Sequence, residues 1–274
     1  MKTLAFLAAL LLSVGAAAQP KYEPQVGQAG KDVIWVPTPD DVVDRMLTMA
    51  QTGPKDIHFD LGAGDGKIAI AAAKKFGAHA TGIEYNPEMA KHANANAQAA
   101  GVGGVGPGKA TIRQGDIFVT DFSSATVITL YLLPALNMKL RPTILQMRPG
   151  TRVVSHSFTM EDWEADEISS MDGRRAYFWV VPASVMGAWQ LDAGTHKPEI
   201  SIDQTFQKIS GTVKFGTVQG GLREARLSGA NIAFAYVDQA GMRRDFTGRV
   251  SGGRMEGSFR DEKGAEGRWS ATKK

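Results

Sequence analysis

The sequence predicts an α/β domain on a parallel sheet followed by an all-β domain, and three observations carry that reading. Short apolar runs alternate with helical patterns from Val33 to about Val181, the rhythm of βαβ units. A glycine-rich loop, Gly62-Ala63-Gly64-Asp65-Gly66, stands where the first of these apolar runs gives way to a helix. After Pro182 helical periodicity stops, and short alternating segments are separated by Gly, Asp and Asn.

Composition narrows the function classes. The chain has 274 residues, 43% hydrophobic and 22% charged, enough to bury real cores and unlike a disordered or collagenous chain. It has no cysteine, which excludes a disulfide scaffold and any thiolate zinc or iron–sulfur site. A metal would need His or carboxylate ligands; His58, His79, His92 and His196 lack metal-ligand spacing, so no metal site is expected. The formal charge of +3 does not call for a nucleic-acid partner.

The elements follow in order. Met1-Lys2-Thr3 opens with a positive charge, residues 4–14 are almost wholly apolar, and Ala16-Ala17-Ala18 gives a small-residue cleavage pattern. Residues 1–18 therefore read as a secretory signal peptide, too short for the ~20 residues of a spanning helix. The mature chain is then exported, to a periplasm or beyond, with no transmembrane segment and a lead-in over residues 19–35. In the α/β domain, residues 36–182, Thr38 is expected to cap a helix with Pro39 at its first position. A strand over 57–61, a helix over 67–76, a strand over 79–85 and a helix over 87–100 follow. A glycine-rich loop at 101–108 precedes strands at 111–114, 126–133 and 152–156.

Residues 187–274 form the all-β domain. An apolar-x-Gly-x-apolar cadence recurs as Ile209–Val213, Phe246–Val250 and Met255–Phe259, and Gly187-Ala188-Trp189 is echoed by Gly267-Arg268-Trp269. Period-two placement puts Ile232, Phe234 and Tyr236 on one face, so a meander closing into a small barrel or sandwich would bury them. Trp189 and Trp269 serve either as core or as a ligand clamp. The domain carries 14 Lys and Arg against 10 Asp and Glu, an excess of four positive charges that leaves residues 19–186 at −2.

The chemistry concentrates in Asp60-Leu61-Gly62-Ala63-Gly64-Asp65-Gly66. Glycines let the backbone turn tightly and approach a ligand, and the following helix contributes free N–H groups. A dinucleotide fold wants Gly-x-Gly-x-x-Gly, but the sixth position from Gly62 is Lys67, which argues against NAD and FAD. Asp60 repels a phosphate and attracts an ammonium, as S-adenosylmethionine (SAM) carries. No Gly-x-Ser-x-Gly elbow and no Walker loop is present.

The same motif resembles the first motif of the seven-stranded, class I SAM-dependent methyltransferases, which implies a Rossmann-like seven-stranded sheet and SAM as cofactor. On that resemblance Gly62, Gly64 and Gly66 form the cofactor loop, Glu84 is the ribose-binding acid, and Asp116 in Gly115-Asp116-Ile117 faces the adenine amino group. A closer likeness over residues 36–164 rests on Val36-Pro37-Thr38-Pro39, Thr129–Pro134 and Arg148–His156. These segments look like the small protein-lysine methyltransferases whose mitochondrial members modify the c subunit of ATP synthase and the adenine nucleotide translocase. That implies a protein lysine as acceptor, with Tyr131 in the acceptor pocket.

An acceptor amine must lose its proton, and an aromatic, water-poor pocket favours that. Tyr131, Pro134 and the Thr38-Pro39 turn are expected to form it. His156, at a strand end, is placed to act as a base or to shape the pocket. Glu161-Asp162-Trp163-Glu164 either gates the cleft and guides a cationic acceptor or is a solvated acidic loop. Two functions compete: an exported SAM-dependent methyltransferase acting on an amine such as a protein lysine, or an exported binding protein that has lost catalysis. In the latter the β domain would bind a lipid or envelope component. The complete set Asp60, Gly62, Gly64, Glu84 and Asp116 favours the enzyme; the leader favours the alternative, because SAM is made in the cytosol.

Overall fold

The computed structural model describes residues 22–274; the leader expected at 1–18 lies outside the described residues. The first sheet is built from β1 (Ile57–Leu61), β2 (His79–Glu84), β3 (Ala110–Gln114), β4 (Val127–Leu130), β5 (Arg152–His156), β6 (Glu167–Met171) and β7 (Arg174–Val180). Its strand order is β3-β2-β1-β4-β5-β7-β6, and β7 runs antiparallel between β5 and β6 while the other pairs are parallel. Four helices accompany it: α1 (Asp40–Met49), α2 (Lys67–Phe76), α3 (Pro87–Ala99) and α4 (Pro134–Leu145).

Both faces of the sheet are covered, as parallel strands require. Val42, Met46 and Leu47 of α1, Ala69, Ala72 and Ala73 of α2, Ala90, Ala93 and Ala97 of α3, and Val127 and Val154 form one core. Phe59, Leu61, Ile128 and Leu130 pack on the other face with Leu140 and Ile144 of α4, Trp163 and Trp179. The chain winds outward from β1 to β3, then crosses back to β4 on the other side of β1. That reversal opens a crevice beyond the carboxyl ends of β1 and β4, where open α/β sheets bind ligands.

The structure corrects several details. Pro39 occupies the N-cap position of α1, whose first helical residue is Asp40, and no side chain caps the helix; the Thr38 hydroxyl turns instead to His156. The fourth strand ends at Leu130, because Tyr131 to Leu133 leave the ladder to enter the crevice. Helix α4 carries little sequence signal: two prolines, Pro134 and Pro142, interrupt its pattern, and of its side chains Asn137, Leu140 and Ile144 alone are fully buried.

The second sheet comprises β8 (Gly187–Asp192), β9 (Glu199–Thr205), β10 (Lys208–Phe215), β11 (Val218–Gly221), β12 (Arg223–Ser228), β13 (Asn231–Val237), β14 (Arg243–Ser251), β15 (Arg254–Asp261) and β16 (Glu266–Lys273). All neighbours are antiparallel, and β16 returns to pair with β8, so the ladder is interrupted solely between β11 and β12. The result is a nearly closed, barrel-like antiparallel sheet. Trp189, Leu191, Ile200, Phe234, Tyr236, Phe246 and Trp269 fill its interior. Trp189 and Trp269 are core residues whose ring N–H groups bond the carbonyls of Val185 and Thr247 at 2.8 and 3.0 Å. The glycine cadence has a steric cause. A Cβ on Gly257 would meet the Thr247 carbonyl oxygen at 1.9 Å, and one on Gly248 would meet the Trp269 ring at 2.7 Å.

The acidic segment near residue 163 lies at the seam between the sheets and does not line the crevice. Trp163 is buried, stacks on Phe206 and donates to Gln207 Oε1 at 3.0 Å. Asp162 pairs with Arg141, and Glu164 with Lys208. No helix among the described residues is long and apolar enough to cross a membrane.

Candidate cofactor and acceptor site

The crevice is a cleft of about 310 Å³, within the range of small-molecule sites. Asp60, Gly62, Gly64, Glu84, Asp116, Tyr131 and Thr38 all line it. Asp60, at the end of β1, is buried and accepts a hydrogen bond from Thr129 Oγ1 at 2.8 Å. Burial pushes its carboxyl up to about 7; the nearby carboxylates of Asp65 and Glu84 add to the effect, and Thr129 opposes it. The Thr129 hydroxyl proton is spent on Asp60, so at 2.9 Å it accepts from His58 Nε2, leaving His58 Nδ1 without a partner. Burial holds His58 neutral, lowering it to about 3.

The glycine loop has the backbone its sequence demands. Gly62 and Gly64 adopt φ of 86° and 54°. A Cβ at Gly62 would fall 2.9 Å from Leu132, and one at Gly64 would fall 2.6 Å from the Trp35 indole nitrogen. Glu84 is oriented by two amides: Oε2 accepts from Gly64 N–H and Oε1 from Asn86 N–H, each at 2.9 Å. Each oxygen keeps a lone pair toward the cleft, the valence a vicinal diol needs. Asp116 accepts from Phe118 N–H at 2.9 Å and from Lys31 Nζ at 2.6 Å. Those two partners, Lys31 first, hold its carboxyl below the usual carboxylate range. Gly66 does not reach the cleft: it is the N-cap of α2, at φ 80°, packed on Ala93 and Ile112.

Beside the glycine loop stands an aromatic group. The Tyr131 ring lies 4.0 Å from that of His156 and 6.1 Å from that of Phe158. His156 Nδ1 is 3.2 Å from Thr38 Oγ1. Burial, with Arg174 nearby, lowers His156 to about 4 against a weaker pull from Asp41, so it is neutral and a poor base at neutral pH. Ser157, at φ 63°, closes a γ-turn in which Phe158 N–H donates to the His156 carbonyl at 2.8 Å. This strained turn brings both flanking rings to Tyr131. Pro39, Pro134 and His156 do not line the cleft, His156 lying behind Tyr131; Pro37, Leu133 and Leu136 supply its apolar wall.

Among the lining residues that the sequence reading missed are Lys31, Trp35 and Phe158. The first two lie in the lead-in, which carries no periodicity. Phe158 follows the strand end by two residues, and the unusual turn that aims it leaves no mark in composition.

The donor set suits SAM. A buried acid stands where an ammonium would be held, a carboxylate keeps lone pairs that a diol could use, and glycine backbone leaves room between them. Among the described residues no group of three or more His, Asp or Glu side chains is placed to hold a metal.

Comparison with known proteins agrees. Residues 60–167 match the family described as the ANTKMT methyltransferase domain. A protein-lysine N-methyltransferase of Saccharolobus islandicus is 44% identical over 142 residues, covering 51% of this chain and 86% of that protein. The Mus musculus lysine N-methyltransferase named for the c subunit of ATP synthase is 30% identical over 159 residues, 57% of this chain and 60% of that protein. A crystal structure from Salinibacter ruber, described as an RNA methyltransferase in complex with S-adenosyl-L-homocysteine, is 48% identical. It covers 55% of this chain and 96% of its own, with a TM-score of 0.52. Nothing in these comparisons supports a chain that has lost catalysis. The chain belongs to the family of the ANTKMT methyltransferase domain and is a SAM-dependent methyltransferase.

Proposed function

We propose that the chain is an exported enzyme that methylates a lysine side chain of a protein partner. The observation that carries the acceptor reading is the charge of the cleft. Its lining holds the carboxylates of Asp32, Asp60, Asp65, Glu84 and Asp116 against two lysines, and both lysines are engaged, Lys31 with Asp116 and Lys67 with Asp40. Such a lining draws in an ammonium and repels a phosphate backbone. The acceptor named for the Salinibacter protein therefore suits this cleft less well than the lysine named for the other two relatives.

SAM, once bound, supplies an electrophilic methyl on a sulfonium. The task left to the chain is to present an unprotonated amine in line with it. Tyr131 and Phe158, with neutral His156 packed behind the Tyr131 ring, give a wall without charge that disfavours the ammonium and so promotes loss of its proton to solvent. Thr38 fixes the His156 ring, and exposed Ile34, Val36 and Leu133 give the mouth an apolar rim suited to polypeptide around the acceptor lysine.

The test is to incubate the purified chain with methyl-labelled SAM, lysine-bearing polypeptides and mixed-sequence RNA, and to locate the label by mass spectrometry. Label on lysine Nε is expected; label on RNA alone overturns the acceptor reading. Export rests on the charged, apolar and small-residue pattern of residues 1–18. It is tested by fusing that segment to a reporter active only outside the cytosol, where a silent fusion refutes it. The excess positive charge and filled interior of the second sheet support contact of its outer face with an anionic envelope component.

A further inference from the structure

Residues ahead of α1 fold back over the cofactor cleft. Gly27 N–H donates to the Trp35 carbonyl at 2.8 Å, Trp35 N–H to Gln28 at 2.9 Å and Gly30 N–H to Val33 at 2.9 Å, giving a small hairpin over residues 27–35. The tip carries Lys31, whose ammonium is 2.6 Å from Asp116 Oδ2 and 4.6 Å above the centre of the Tyr85 ring. The base carries Trp35, pressed on Gly64. The hairpin is tied to the sheet through Thr38 and His156.

Lys31 thus holds both groups that a purine would use at this end of the cleft: the carboxylate that accepts from an exocyclic amine, and the exposed aromatic face that stacks on a base. An ammonium and a purine cannot share that face of Tyr85. We propose that the hairpin is an intrasteric latch, with Lys31 holding the adenine seat in the ligand-free chain and giving it up when the cofactor enters. The proposal rests on the cofactor reading of this cleft. Its strength is electrostatic and half exposed to solvent, so salt weakens it. Trp35 provides a local reporter, because the other four tryptophans, at 163, 179, 189 and 269, are buried.

The experiment compares the chain with its Lys31→Met variant, titrating each with S-adenosylhomocysteine by calorimetry at low and high salt and measuring acrylamide quenching of tryptophan emission without ligand. The variant is expected to bind about three- to thirtyfold tighter, the range of one exposed ion pair and one cation–π contact. Salt should narrow the difference in affinity between the unmodified chain and the variant, and Trp35 should be more accessible to acrylamide in the variant. Saturable binding by both chains with the variant no tighter overturns the latch, whatever the quenching, and leaves the cofactor reading standing. No binding by either chain overturns both.

Discussion

Cofactor affinity should depend on pH through Asp60. Its carboxyl is held near pH 7 by burial, with the carboxylates of Asp65 and Glu84 behind it, and only its ionised form attracts the cofactor ammonium. The two buried histidines nearest this chemistry are already neutral above pH 5, at about 3 for His58 and about 4 for His156, so they do not titrate in the same window. With an apo value of about 7, the ionised fraction rises from about 3% at pH 5.5 to about 50% at pH 7. Affinity for S-adenosylhomocysteine should therefore rise about sixteenfold over that interval and about twofold more above it before levelling off. Calorimetry across pH 5.5–7 reads this directly, with Asp60→Asn expected to bind weakly and with a flat profile. The same group affects stability in the opposite sense. Its folded value lies above its unfolded value, so its contribution is fully present below about pH 4 and is lost as pH rises through 7, and ligand-free Asp60→Asn should melt higher than the unmodified chain at pH 8. A sixteenfold rise that persists in Asp60→Asn refutes the argument, because another group would then own the titration.

Other substitutions test other parts of the cleft. Glu84→Ala removes an acceptor from the Gly64 and Asn86 amides as well as from the ribose, and should weaken S-adenosylhomocysteine binding by more than about a hundredfold in the same calorimeter. Tyr131→Ala should slow lysine methylation by on the order of a hundredfold with cofactor affinity nearly unchanged, whereas Tyr131→Phe, which keeps the ring against His156, should retain most of the rate in a labelled-methyl assay. Ser157→Val places a β-branched residue at φ 63° and should cost about 1–3 kcal/mol in thermal denaturation, while Ser157→Gly should be neutral or stabilising.

What the sequence disclosed depended on how local the signal was. Asp60, Gly62, Gly64, Glu84 and Asp116 were legible because each sits at a strand end marked by its own neighbours, and the sheet order then brings those ends together. The alternation of Ile232, Phe234 and Tyr236 likewise foretold their burial. Thr38 reads as a cap because Thr-Pro commonly opens a helix, yet its hydroxyl pairs with a histidine 118 residues away, a contact no local pattern encodes. Pro134 reads as a pocket residue and instead starts α4, where its missing N–H costs nothing. Lys31 and Trp35 were invisible for a similar reason: their meaning lies in the loop they cover. The acidic run around Trp163 was legible as charge, but its partners Arg141 and Lys208 belong to α4 and the second sheet.

The interruption between β11 and β12 also shapes how the second sheet assembles. Every pairing from β12 to β16 joins sequence neighbours, but the one that brings the ends together, β8 with β16, matches residues 189–192 with residues 270–273. That contact spans about eighty residues and carries the largest loop-closure entropy in the sheet. The barrel-like sheet therefore cannot complete itself until β16 is in place beside β8. Until those two strands pair, the aromatic interior has no final wall, and the slow step in the sheet's assembly belongs to that long-range closure.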